Sequence, residues 1–311
     1  GFSKVGSYTG TGAAGNAVVT GFEPAFVMMK KTNSTSNWYI LDNKRNGPIG
    51  GNDGILFPNS SAAEDSSYNY IDFVANGFVL NFTNGDYNTS GGTYIYLAFA
   101  ADGSTATPSL ANSFATELYT GTGSGSKTVT GVGFRPDLVW GRSRTGSIGN
   151  ILFDVVRGEN KQLSSDNTSA EVTRSSAAYE FENDGFTVTT AGNLNNSVNY
   201  ASWNWKAGGT PAINTDGTIT SLVSANQAAG FSIVQWSTST TLATVGHGLS
   251  SAPELIIGKG INWSSSWPVY ALPIGNTKKM SLNDTSIAST STIWGNTTPT
   301  ATTFNQDFTG T

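Results

Sequence analysis

The sequence predicts an all-β chain: three tandem antiparallel β-sandwich repeats of about 110 residues each, the third lacking its last strand. Three observations carry that prediction. Short runs rich in Val, Ile, Thr, Tyr, Phe and Trp alternate with Gly, Asn, Asp and Ser clusters at intervals of roughly 8 to 12 residues. No window of helical length sustains an i, i+3, i+4, i+7 apolar stripe. An ordered set of motifs also recurs along the chain, and self-similarity of that kind decides a fold before any local reading.

The unit opens with an aromatic followed by small polar residues: Tyr8-Thr9-Gly10-Thr11-Gly12, Tyr119-Thr120-Gly121-Thr122-Gly123 and Trp236-Ser237-Thr238-Ser239-Thr240. Next comes a Gly-Phe-x-Pro element, Gly21-Phe22-Glu23-Pro24 and Gly133-Phe134-Arg135-Pro136, with a looser third copy from His247 to Ile257. Glycine supplies the turn, the aromatic plugs the core, and proline starts the next strand extended and off the ladder. An apolar strand follows: Trp38 to Asp42, Asn150 to Asp154, and Ser266 to Tyr270. Polar segments come after it: Leu56 to Asn59, Leu163 to Asn167 and Met280 to Asp284.

Asn76-Gly77 and Asp184-Gly185 then read as hairpin turns, because type I′ geometry needs positive φ at both central residues. The last element is the aromatic strand Tyr94 to Phe99, matched by Tyr200 to Trp205; apolar on both faces, it suits a central strand covered from two sides. In the third copy the sequence reaches Thr311 where that strand would begin, so we expect the parent polypeptide to continue, and the start at Gly1 fits an internal cut. The expected organisation is three beads on a string: repeats at 1–103, 114–209 and 222–311, with Gly-, Ser-, Thr- and Asn-rich linkers at 104–113 and 210–221.

Composition narrows the functional classes. Only 12% of the 311 residues are charged, against about 25% in an ordinary domain, while 11% are aromatic, so a packed core is within reach. A net charge of -5 and no basic cluster beyond Lys30-Lys31 and Lys278-Lys279 argue against nucleic acid as a partner. The longest apolar run, Tyr94 to Ala101, is far shorter than the roughly 18 residues of a membrane-spanning helix, so no membrane insertion is expected. There is no Cys, hence neither disulfide frame nor thiolate metal site, and a single His247 rules out a histidine-rich centre.

No catalytic, cofactor-binding or metal-binding residue stands out. His247 lies in a Gly-flanked turn without a nucleophile elbow, and reads as a turn residue. Asp42 and Asp154 recur at matching points, but the third copy has Ala271 there, so they read as fold determinants. Glu64-Asp65, Glu180, Glu182 and Asp184 could supply the carboxylate pair of a glycosidase, yet any chain with 21 acids holds such pairs. Asn84 to Asn88 and Asn283-Asp284 carry oxygen ligands without a regular calcium-loop pattern, and Asx turns explain them better. Trp263 and Trp267 flank Ser264-Ser265-Ser266 in a polar loop and are the candidate ligand contacts, suited to stacking on a glycan.

The second copy, with Tyr119-Thr120-Gly121-Thr122-Gly123, Gly133 to Trp140, Arg157-Gly158, Asn183-Asp184-Gly185-Phe186 and Trp205 to Gly209, resembles the repeated domain of tailed-phage virion proteins of marine and cyanobacterial viruses. The first copy is similar through Ser7 to Gly10 and Gly91 to Tyr96, and the third through Asn214 to Ile219, Val245 to Leu249 and Trp267 to Tyr270. The resemblance implies a non-enzymatic structural protein on the surface of the virion, a tail fibre or other appendage contacting the host. It implies other virion proteins and a host surface glycan as partners, self-association as a homo-oligomer (trimeric in a fibre), and no cofactor. Alternatives are a polysaccharide depolymerase on the same scaffold, and a capsid decoration or internal virion component.

Overall fold

Short runs rich in branched and aromatic residues in the first segment give seven strands, and their pairing is all antiparallel. They are β1 (Ser3–Thr9), β2 (Asn16–Val19), β3 (Pro24–Lys31), β4 (Trp38–Asp42), β5 (Ile71–Val74), β6 (Gly77–Leu80) and β7 (Thr93–Ala100). In this computed structural model, which describes residues 2–47, 49–83, 85–100, 112–146, 148–174, 178–237 and 242–307, they form two sheets ordered β1-β7-β3-β4 and β2-β6-β5. Aromatic rings join the sheets: Phe78 of β6 meets Tyr8 of β1 at 6.2 Å and Tyr96 of β7 at 5.4 Å, both edge to face. The doubly apolar β7 lies between β1 and β3, as its pattern demands.

The second segment contributes β8 (Phe114–Thr120), β9 (Ser126–Thr130), β10 (Leu138–Ser143), β11 (Ile151–Asp154), β12 (Lys161–Ser164), β13 (Val172–Thr173), β14 (Tyr179–Glu182), β15 (Gly185–Thr189) and β16 (Asn199–Trp205). Its sheets run β13-β12-β11-β10-β16-β8 and β14-β15-β9, with Phe186 of β15 edge-on to Tyr119 of β8 at 6.0 Å. The third holds β17 (Ala212–Asn214), β18 (Ser221–Asn226), β19 (Phe231–Trp236), β20 (Ala243–Gly246), β21 (Leu255–Ile257), β22 (Pro268–Ala271), β23 (Lys278–Ser281), β24 (Ser289–Thr290) and β25 (Thr303–Gln306). Here the sheets are β17-β18-β19, β20-β25 and β21-β22-β23-β24. Apart from two 3₁₀ turns, Thr190–Gly192 and Leu272–Ile274, the described secondary structure is strand, and the all-β prediction holds.

Three expectations need correcting. Hairpins do form at the two Gly positions, but the loop residues are Ala75-Asn76 and Asn183-Asp184, while Gly77 and Gly185 are the first ladder partners, opposite Val74 and Glu182. Glycine is needed there because φ is 153° and 149°, and because a Cβ would sit 2.0 Å from the carbonyl oxygens of Val18 and Val129. The stretch expected as a linker at 210–221 contains β17, which pairs with β18; the linker at 104–113 falls largely outside the described residues.

The segments are also not beads on a string. Phe26 of the first segment packs edge-on against Phe114, Trp203 and Trp205 of the second at 5.4 to 6.0 Å, and Trp205 stacks on Phe231 of the third at 6.0 Å. One buried apolar cluster takes in residues from all three, among them Val27, Trp203 and Val269, each 0% exposed. Individually small sheets thereby obtain a common core.

Candidate functional site

Three junctions tie the segments into a closed ring, and each is built the same way. Backbone carbonyls of one segment accept from a side chain at or just before the start of β4, β11 or β22 in the next. Asn150 Nδ2 donates to Phe57 O at 3.0 Å and to Ser60 O at 3.2 Å, joining the second segment to the first. Trp267 Nε1 donates to Asn167 O at 3.1 Å, joining the third to the second. Trp38 Nε1 donates to Ser281 O at 2.9 Å, joining the first to the third and closing the ring.

Backbone bonds recur at the same three junctions with the roles reversed: Glu64 N–H to Arg144 O at 2.9 Å, Glu171 N–H to Ile261 O at 2.8 Å, and Ala288 N–H to Thr32 O at 3.0 Å. The N–H groups of Trp38, Asn150 and Trp267 are each held by an Asx side chain, Asn59, Asp166 and Asn283 respectively. Trp267, rather than Ser266, therefore corresponds to Trp38 and Asn150. Sequence comparison set that register one residue off.

A cation serves each junction, buried in the case of Lys30 and Arg142 and half-buried in that of Lys259. Lys30 Nζ reaches Thr285 O at 3.4 Å, Lys259 Nζ reaches Thr168 O at 2.9 Å, and Arg142 donates to Ala62 O. Burial pushes both lysines down to about 8 and lowers Arg142 as well, since a cation taken from water is disfavoured. These three were not singled out from sequence. The signal was there, a basic residue at a matching point of each segment, but an isolated Lys or Arg reads as solvated surface until its neighbour is known.

The recurring aspartates act locally. Asp42 Oδ1 accepts the N–H groups of Lys44 and Arg45, and its Oδ2 accepts from Arg45 Nε at 2.7 Å. Asp154 does the same for Val156, Arg157 and Arg157 Nε at 2.6 Å. Both arginines reach a second carboxylate, Arg45 to Glu64 at 3.0 Å and Arg157 to Glu171 at 3.1 Å. Burial raises the Glu64 carboxyl, but Arg144 and Arg45 outweigh it and hold the group below the usual range. Asp42 also accepts from Trp203 Nε1 of the second segment at 2.9 Å, so this cluster is a brace between segments.

Other sequence candidates are similarly engaged. His247 is 2% exposed; Nδ1 accepts the Leu249 N–H at 3.1 Å and Nε2 faces Thr300 O at 3.2 Å, which fixes the neutral Nε2–H form, and burial lowers its pKa. Asp184 accepts from Gly131 N–H at 3.0 Å and Gly133 N–H at 2.7 Å, and these bonds lower its pKa. Asn88, 0% exposed, binds Thr11 N–H and Ala13 O, as Asn195 binds Thr122 N–H and Ser124 O. Asp284 accepts the Ser286 N–H in an Asx turn, and no group of three or more metal-ligating side chains occurs among the described residues. Of the two candidate tryptophans, Trp263 is 39% exposed, whereas Trp267 is 4% exposed and committed to its junction.

Where the sheets of the three segments converge lies a cavity of about 870 Å³. Its wall includes Met28 and Phe99 from the first segment, Trp140 and Trp205 from the second, and Phe231 and Ile257 from the third; Trp263 stands on its rim. The wall is chiefly apolar. The Trp205 indole N–H, buried there, has no hydrogen-bond partner among the described residues. Such a chamber takes apolar side chains or a ligand of that character.

A family model described as a domain of unknown function (DUF7483) matches residues 1–102 and 109–310, nearly the whole chain. Comparison with curated proteins and with solved structures returned no match.

Proposed function

The chain belongs to the DUF7483 family, and from that premise we propose that it is a non-enzymatic structural module of a tailed-phage virion, part of a tail fibre or other surface appendage that meets the host cell. The observation that carries this reading is the use made of the buried charged groups. Asp42, Arg45, Glu64 and Arg144 brace one another across two segments, Asp154, Arg157 and Glu171 brace loops within the second, and Lys30 and Lys259 cap carbonyls at the junctions. A catalytic acid or nucleophile needs freedom to change partner or protonation state; these groups hold loops in place.

A ring of sheets with hydroxyl and amide faces, without cysteine, suits a particle exposed to changing redox conditions. Trp263, exposed beside Ser264 and Asn262, is the residue we assign to a host surface glycan, an aromatic face set among hydroxyls and an amide. Self-association with other copies and virion proteins would use the outer surfaces.

Two measurements test the reading. Incubation with host envelope polysaccharide is expected to release no reducing ends above background; release would replace the reading with a depolymerase on the same scaffold. Immunogold labelling of particles is expected at an appendage, and label confined to the capsid interior would refute a surface role.

A further inference from the structure

We propose that the third segment carries a vacant strand site, between β19 and β21, that takes an extended polypeptide strand of the β7 and β16 kind. The inference goes beyond the virion reading and does not depend on it. In the first segment β7 lies between β1 and β3, and in the second β16 lies between β8 and β10. The corresponding strands of the third segment are β19 and β21. Each ends its sheet, β19 bonded to β18 and β21 to β22, and among the described residues no strand joins them.

All of β19 and all of β21 line the central cavity. Every residue of β21 is only partly buried, whereas β3, its filled counterpart in the first segment, is buried throughout. An antiparallel strand there would complete a ladder on each side.

The filled sites also say what the strand must look like. Tyr94 stacks on Tyr8 at 4.7 Å and Tyr200 on Tyr119 at 5.0 Å, each pair directly opposite in register. Trp236 takes the place of Tyr8 and Tyr119, so the strand presents an aromatic opposite Trp236. Further along, Leu97 lies between Val5 and Met28, and Phe99 between Ser3 and Phe26; both line the cavity. Their counterparts would lie between Ile233 and Ile257 and between Phe231 and Leu255, and would project into the cavity from its open side. A chamber of about 870 Å³ holds such side chains, and the Trp205 N–H on its wall would gain polar atoms within reach. The occupant is therefore a strand with large apolar residues at alternate positions, not a small polar ligand.

The test uses the unmodified chain and four synthetic peptides: the sequence Thr93–Ala100, the sequence Asn199–Trp205, and a scramble of each. Hydrogen exchange read by mass spectrometry is expected to slow by at least about tenfold in β19 and β21 with either matched peptide at saturation, and not with the scrambles. Ile257→Lys is expected to weaken peptide binding at least about tenfold with the circular dichroism spectrum unchanged; should that variant not fold, matched against scrambled peptide on the unmodified chain decides alone. Absence of protection, equal protection by the scrambles, or protection confined to other edges such as β24 overturns the proposal. A stable dimer whose β19 and β21 are already protected, undisturbed by peptide, also overturns it and assigns the site to a second copy.

Discussion

Trp203→Phe tests the shared core most directly. Trp203 is 0% exposed, its indole N–H reaches Asp42 Oδ2 at 2.9 Å, the Arg45 guanidinium lies 5.6 Å from its ring centre, and Trp140 and Phe26 meet it edge-on at 5.9 and 6.0 Å. Phenylalanine keeps an aromatic ring but loses the hydrogen bond to a charged acceptor, worth about 1.5 to 3 kcal/mol. The lost ring volume adds about 1 to 2 kcal/mol, so the expected loss is about 3 to 5 kcal/mol.

Because the bond joins two segments, the effect should reach both. Urea unfolding followed by far-ultraviolet circular dichroism is expected to show one transition moved to lower denaturant. A double-mutant cycle with Asp42→Asn isolates the contact, with an expected coupling of about 1 to 2 kcal/mol. Two transitions of which only the second moves, or a coupling below about 0.5 kcal/mol, would refute the reasoning and restore independent segments.

Further expectations follow from the same geometry. Asn195→Ala deletes a buried clamp on Thr122 N–H and Ser124 O, and should cost about 1 to 3 kcal/mol by leaving those groups unpaired, read as a lower unfolding midpoint. Gly77→Ala should destabilise well beyond Gly21→Ala: Gly21 has a φ of 89° with nothing near its Cβ position, where the backbone alone costs about 1 to 2 kcal/mol, while Gly77 adds the clash with Val18 O. Similar losses for both would disprove the close-approach argument.

Stability should also depend on alkaline pH in a definite direction. Lys30 and Lys259 have folded values near 8, below the ordinary 10.5, so between the two the unfolded chain binds more protons and stability rises with pH. Burial raises Tyr8 and Tyr119 above their ordinary value of 10, so above that pH the unfolded chain binds fewer protons and stability falls. Urea midpoints at pH 7.5, 9.5 and 11 should rise and then drop, and Lys30→Met with Lys259→Met should flatten the rise.

Much of the local structure was legible in the chain itself. The strand content follows from period-two runs of branched and aromatic residues bounded by turn formers, and the doubly apolar Tyr94 to Ala100 could sit only in the middle of a sheet. Asp42 and Asp154 were recognisable as fold determinants because a turn-capping carboxylate acts on its own neighbours, within three residues. His247 in its Gly-flanked turn is local in the same sense.

What escaped sequence reading is whatever depends on the partner across a junction. Trp267 and Trp263 lie in one polar loop and look alike in sequence, yet only the neighbouring segment decides that Trp267 is buried against Asn167 and Trp263 left exposed. Lys30, Arg142 and Lys259 became caps on carbonyls only because a second loop brings those carbonyls to them. Hydrophobic periodicity states which face of a strand avoids water, not what covers that face. The sequence by itself therefore determined strands, turns and their capping, which rest on near neighbours and backbone sterics. Only the tertiary structure decided that three segments close into a ring with a shared core cluster, because that depends on apolar faces far apart in the chain finding one another, with polar loops positioned to satisfy the buried donors at each seam.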